Sequence, residues 1–301
     1  MVTSKEPEAF VFSMLTAQDD SQLPFLLSRY ISIFAYDSEE YGPALAFNNN
    51  FEDFYFWKCG KLSLFPAHLP NYAVYPGLMV KLSKAMLDEG RYILGLWNEQ
   101  YIEGTMSYKR EYHAADFILY GYSEDQFYSF RWQGGMLIPF TVSYGALESA
   151  LYLEEPAMNM IWGAALGNGE LEFELDNVKN ALCQFISGDV LNDCGCAFGY
   201  KSIEYLAQQF GSRQYSNRDY RELKCLWEYT RLMTLRIEYM RKMGIHITEQ
   251  VLTKTHDIEK KAFDLKYNRM EIKLDSLIEC IFEIADQERD LACELLSVLG
   301  S

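Results

Sequence analysis

The sequence predicts an α+β protein: an α/β unit built around His113 over residues 1–155, then a mainly α-helical domain over residues 156–301. Three observations carry that expectation. Residues 116–121 (DFILYG) and 127–132 (FYSFRW) are aromatic-rich runs joined by a polar Ser-Glu-Asp-Gln turn, the pattern of a hairpin of two central strands. Leu223, Leu226, Thr230, Met233, Ile237 and Met240 recur at spacings of three and four up to Gly244, which marks an amphipathic helix with a glycine stop. An apolar content of 49% in 301 residues supplies a sizeable core.

The elements follow in order. Residues 9–15 (AFVFSML) are apolar and β-prone, and the polar Gln18-Asp19-Asp20-Ser21 ends that strand and caps a helix. Residues 24–35 carry Phe25, Leu26, Leu27, Tyr30, Ile31, Ile33 and Phe34 and read as a buried helix with Pro24 in its permissive first turn. Asp20 or Ser21 then stands at a helix N-terminus. An aromatic segment, 47–57, leads into a stretch broken by Pro66, Pro70 and Pro76 that reads as a loop, and then into a helix over 76–87 stopped by Gly90. Residues 92–97 (YILGLW) read as a strand, as do 136–142, the latter running into a short helix capped by Ser143.

Beyond Pro156 the texture changes. Residues 170–175 (ELEFEL) read as a strand, followed by a helix capped by Asp176 and stopped near Gly188, and by another over 200–210. Ser216 and Asp219 form a capping pair for the helix that runs to Gly244, and two more helices are expected over 248–274 and 276–299.

A net charge of −16 argues against a nucleic-acid groove, which needs clustered Lys and Arg to displace counterions. The acidic surface favours solubility or a cationic partner. Seven scattered cysteines in a chain of this length predict reduced thiols and a cytoplasmic location. No signal peptide and no apolar run of spanning length is visible, so a membrane location is not expected.

Only four histidines are present, and His113, just before the first hairpin strand, is the best placed for chemistry. His246 and His256 lie in or beside charged helices and read as solvated; His68 sits in a proline-bracketed stretch. Cys59 follows Lys58, which would lower its pKa, yet its position suits an incidental thiol. Cys194-Gly-Cys196 has no second pair or nearby histidine and falls short of a four-ligand zinc site, so no metal or other cofactor is expected. The tyrosines and tryptophans at 92, 97, 101, 108, 112, 120, 122, 128 and 132 read mainly as sheet packing, with some able to wall an apolar groove.

The stretch His113-Ala-Ala-Asp-Phe-Ile-Leu-Tyr-Gly-Tyr, a turn, and Phe-Tyr-Ser-Phe resembles the histidine strand of the papain-like family of the butirosin biosynthesis protein H N-terminal domain. It is similar, more remotely, to the peptidase domains of bacteriocin-exporting transporters. The resemblance covers roughly residues 10–150, with Asp20-Ser21-Gln22 at the family's cysteine position and residues 45–51 (LAFNNNF) at its Gly/Asn and aromatic segment. It implies a papain-like fold and transfer of an acyl group from a thioester, free or on a carrier protein, or from a peptide-like substrate, to an amine. In those terms Ser21 is the nucleophile position and His113 the general base. Asp116 or Ser129 is the orienter, and the Ser21 amide with Gln18 forms the oxyanion site.

The chain departs from that pattern: no cysteine precedes Lys58, and a serine stands where an orienting Asp or Asn is expected. A serine at position 21 then reads as a hydroxyl nucleophile, as a change from Cys that silences the site, or as the trace of a lapsed site in a domain that binds a partner enzyme, or dimerises through its C-terminal helices.

Overall fold

The computed structural model describes residues 23–38, 42–47, 62–68, 77–133, 136–151, 160–166, 172–191, 196–212, 221–268 and 271–300. Its elements, in chain order, begin with α1 (Leu23–Arg29), β1 (Ile33–Ser38), β2 (Gly42–Phe47), β3 (Leu62–His68), α2 (Leu78–Asp88), β4 (Tyr92–Asn98), β5 (Ala114–Tyr122), β6 (Gln126–Gln133) and β7 (Met136–Ser143). There follow α3 (Tyr144–Ala150), β8 (Met160–Leu166), α4 (Leu175–Ser187), β9 (Val190–Leu191), β10 (Cys196–Phe198), α5 (Tyr200–Ser212), α6 (Arg221–Lys242), α7 (Glu249–Asn268) and α8 (Leu274–Gly300). The fold is mixed α+β with two antiparallel sheets. The described residues form two compact units: 62–166 is one, and 23–47 together with 172–300 is the other. Residues 23–47 therefore belong with the helical C-terminal segment, not with the His113 sheet, a division more interleaved than one boundary near 155.

The sheet unit is a six-stranded antiparallel sheet in the order β3-β8-β4-β5-β6-β7. Strand pleat sends alternate side chains to opposite faces. One face buries Ile93 and Trp97 of β4, Phe117 and Leu119 of β5, Phe127 of β6 and Val142 of β7 against Met79 and Met86 of α2 and Leu147 of α3. Trp97 stacks on Phe117 with ring centroids 4.8 Å apart. Gly95 makes the stack possible, since a Cβ there would stand 2.8 Å from the Phe117 ring. The expected hairpin is present, and Ser143 caps α3 by accepting the Ala146 amide at 3.2 Å.

Residues 62–68 form a strand where a loop was expected. Strand β3 is at the end of the described sheet order, and an edge strand is where a proline such as Pro66 is tolerated.

In the helical unit a short antiparallel sheet, β2-β1-β10-β9, is accompanied by α1 and α4 to α8. The helix expected over 24–35 ends at Arg29, and residues 33–38 are a strand: Ile33 and Ala35 are buried while Phe34 and Tyr36 are partly exposed, a period of two that a helix does not produce. Residues 172–174, part of the expected 170–175 strand, are irregular and α4 starts at Leu175 with Glu174, not Asp176, at its N-cap. Gly188 closes α4 in the left-handed conformation at φ 56°. The expected single helix over 248–274 stops at Asn268, and Thr248 caps it by accepting the Val251 amide. No described helix is long and apolar enough to cross a membrane. Residues 9–15, most of 47–57, and Ser216 with Asp219 lie outside the described residues.

Candidate functional site

His113 immediately precedes β5, and its surroundings are built by the end of β4. The pairing of β4 with β5 ends at Asn98 opposite Ala114, which brings residues 98 and 99 beside 113 although fourteen or fifteen positions separate them in sequence. Asn98 is buried, and its Oδ1 accepts the Gln100 amide at 3.0 Å and the His113 amide at 3.2 Å. One side chain thus starts the 3-10 turn Glu99–Tyr101 and fastens the approach to β5. The Glu99 amide donates to the His113 carbonyl at 2.8 Å.

The intervening loop is held to the same place. Ile102 is fully buried in the sheet core, and the Thr105 hydroxyl donates to the Glu99 and Ile102 carbonyls at 3.0 and 2.9 Å. Gly104, at φ 86°, passes beside the Arg131 guanidinium; a Cβ there would stand 1.9 Å from Nη1. Only glycine fits, on both conformational and steric grounds.

Glu99 and His113 are both half-buried. Burial pushes the Glu99 carboxyl above the ordinary carboxylate range, and the nearby charge of His113 partly offsets that rise. The pair is coupled through space without a direct hydrogen bond. Such a pair can hold a proton on the imidazole as positive charge develops there. Neither Asn98 nor Glu99 follows from local sequence pattern; the one signal is their position directly after the apolar run of β4, where a chain leaving a strand needs a cap.

The expected orienters do not join this pair. Ser129 is fully buried on β6 opposite Leu119, six residues beyond His113, or about 20 Å at the rise of an extended strand. Its hydroxyl donates to the Ile118 carbonyl at 2.7 Å, so it ties neighbouring strands together. Asp116 is three residues from His113 along an extended chain, which directs the two side chains to opposite faces. Burial alone pushes the Asp116 carboxyl up to about 6, with no contribution from His113. Of Glu99 and Asp116, it is Glu99 that feels the charge of His113.

Ser21, Asp20 and Gln18 lie outside the described residues, as do Cys59 and Cys194, and nothing is described of the His68 side chain. Helix α1, which begins two residues after Ser21, packs on α4 and α6 within the helical unit. His246 and His256 are exposed, as expected of solvated histidines. Among the described residues no group of three or more His, Cys, Asp or Glu is placed to hold a metal ion.

On the other face of the sheet, Tyr120 stands beside Tyr128 and stacks on Phe130 with centroids 4.8 Å apart. Tyr120 and Tyr128 are each more than a third exposed. Asp116 and these rings share that face by strand parity, giving an open aromatic surface with one carboxyl at its edge. No family model and no curated protein matches the chain.

Proposed function

We propose that the chain is a papain-fold acyltransferase of amide-forming type, in which His113 is the general base and Glu99 takes the orienting role first assigned to Ser129 or Asp116. The observation that carries the reading is the placement of a half-buried imidazole at the entry to a central antiparallel strand, beside a carboxyl whose proton affinity burial has raised.

The chemistry needs a proton carrier for each half-reaction. In the first, a nucleophile hydroxyl, the role the resemblance gives to Ser21, adds to the thioester carbonyl and a general base takes its proton; the thiol leaves with that proton and an ester remains. In the second, the amine adds to the ester, the base accepts its proton and returns it to the nucleophile oxygen, and the amide departs. Glu99 stabilises the imidazolium formed in both.

Intact-mass measurement after incubation with acyl thioesters tests this. An acyl adduct on the wild type or on Ser21→Cys, absent from His113→Ala, supports it. No adduct on either serine or cysteine form sinks it.

A second reading, a non-catalytic accessory protein that holds a partner enzyme, is favoured by one specific observation: the Ser129 hydroxyl is spent on the Ile118 carbonyl. It predicts that partner retention survives His113→Ala.

A further inference from the structure

In the helical unit the ionisable side chains sealed from solvent include Tyr229 and Arg236 of α6, both 0% exposed, and Glu288 of α8, at 1%. Tyr229 and Arg236 are seven residues apart, two helical turns, and so share one face of α6. Each guanidinium nitrogen has a partner: Nε donates to the Leu27 carbonyl at 2.5 Å, Nη2 to the Tyr30 carbonyl at 2.6 Å, and Nη1 to the Met233 sulfur at 3.3 Å. Arg236 is thereby a clasp between α6 and the end of α1. The Glu288 carboxyl has no comparable partner. Both of its oxygens are buried and unbonded, and so is the Tyr229 hydroxyl.

The groups that act on Glu288 come from two neighbouring helices. From α6 they are Arg236 and Tyr229. From α7 it is Lys254, whose ammonium is already paired with Glu294 at 2.5 Å. Helix α4 contributes Phe185, which stacks on Tyr229 and carries no charge. On α5, Lys201 and Glu204 pair with each other, while Tyr200 lies against Arg289. Burial pushes the Glu288 carboxyl up to about 8, the nearby Arg236 and Lys254 charges only partly offsetting it. An ionised carboxylate here would forfeit its hydration without gaining a hydrogen bond, whereas the neutral acid costs far less to bury.

We propose that Glu288 is a proton-operated latch: packed as the neutral acid beside Tyr229 and Arg236 of α6 it holds α8 against α4, α5 and α7, and release of its proton to solvent opens that packing. In the open form the carboxyl is hydrated and ionises near its ordinary value of 4.5. Between that value and about 8 the closed form holds one proton more than the open one, so each pH unit raises the open-to-closed ratio about tenfold, and above about 8 the ratio levels. The latch tightens as pH falls and loosens as pH rises.

Infrared spectroscopy of the full chain, titrated from pH 5 to 9.5, tests the protonation directly. A carboxylic-acid carbonyl band that persists at pH 7, fades near pH 8 and is missing from Glu288→Gln supports the latch; absence of that band from the wild type at pH 7 overturns it, whatever the variant does. Urea unfolding over the same range tests the coupling. The folded-to-unfolded ratio of the wild type should fall relative to Glu288→Gln by about tenfold per unit up to about pH 8, then run parallel. Parallel curves throughout overturn the proposal. If Glu288→Gln does not fold, Glu288→Leu serves as the reference, because it also carries no titrating group.

Discussion

In the helical unit Arg236 and Glu288 lie wholly out of water, while in the sheet unit Glu99, His113 and Asp116 all remain half-buried. The first pair sits where charge is costly, and Arg236 is tolerated because its donors meet two carbonyls and a sulfur. The second set retains access to solvent, at the edge of a core made of aromatic stacking. A group that must exchange protons with a substrate needs the second environment; a group that fastens two distant segments of chain needs the first.

The largest test of that contrast is Arg236→Met. It removes the clasp, leaves the Leu27 and Tyr30 carbonyls without that donor and should lower stability by about 3–5 kcal/mol in urea unfolding. A loss below about 1 kcal/mol would remove the distinction between the units. Trp97→Ala probes the sheet unit, where packing replaces charge: deleting the ring stacked on Phe117 should cost about 3–4 kcal/mol, read by the same titration.

Asp116→Asn should act in the opposite direction. The folded-state carboxyl lies near 6 against an ordinary 3.8, so its neutral form is favoured by folding; wild-type stability is fully present below about 4 and declines as pH rises to about 6. At pH 7 the asparagine form should be more stable by about 2 kcal/mol, allowing for residual exposure, and at pH 3 the two should coincide. The smallest effect on stability is expected for Glu99→Gln, under about 1 kcal/mol, because the site is half open. Acyl loading, by contrast, should fall about 100-fold, since the amide stabilises an imidazolium poorly.

The difference between the units also governs what could be read from the residues alone. The hairpin of β5 and β6 was legible because its alternation is local, and Gly188 and Gly244 announced two helix ends through their need for positive φ. Strand β1 was hidden because seven of the ten residues from Phe25 to Phe34 are apolar, a run that suits a helix or a buried strand equally. Pro66 disguised β3, β9 is only two residues long, and β8 with β3 and β4, like β10 with β1, pairs across long stretches of chain.

At the site, His113 was legible from its position before a strand, but Glu99 reaches it through the pairing of Asn98 with Ala114, which no window of sequence displays. Ser129 misled for a related reason. Its place in the hairpin sets it level with Leu119, and only the far end of β6, near Gln133, comes level with the start of β5.

The Arg236 clasp has a consequence for the order of events during synthesis. The carbonyls it holds, Leu27 and Tyr30, precede it by more than 200 residues, and the described part of the sheet unit, 62–166, is encoded between them. A chain emerging from its N-terminus can complete the sheet unit first, while α1 and β1 wait with apolar side chains uncovered until α6 and β10 have been made. Closing so large a loop is slow but only modestly costly, since the entropy grows with the logarithm of its length. Helix α1 and strand β1 are therefore in need of shelter in the nascent chain until α6 and β10 reach them.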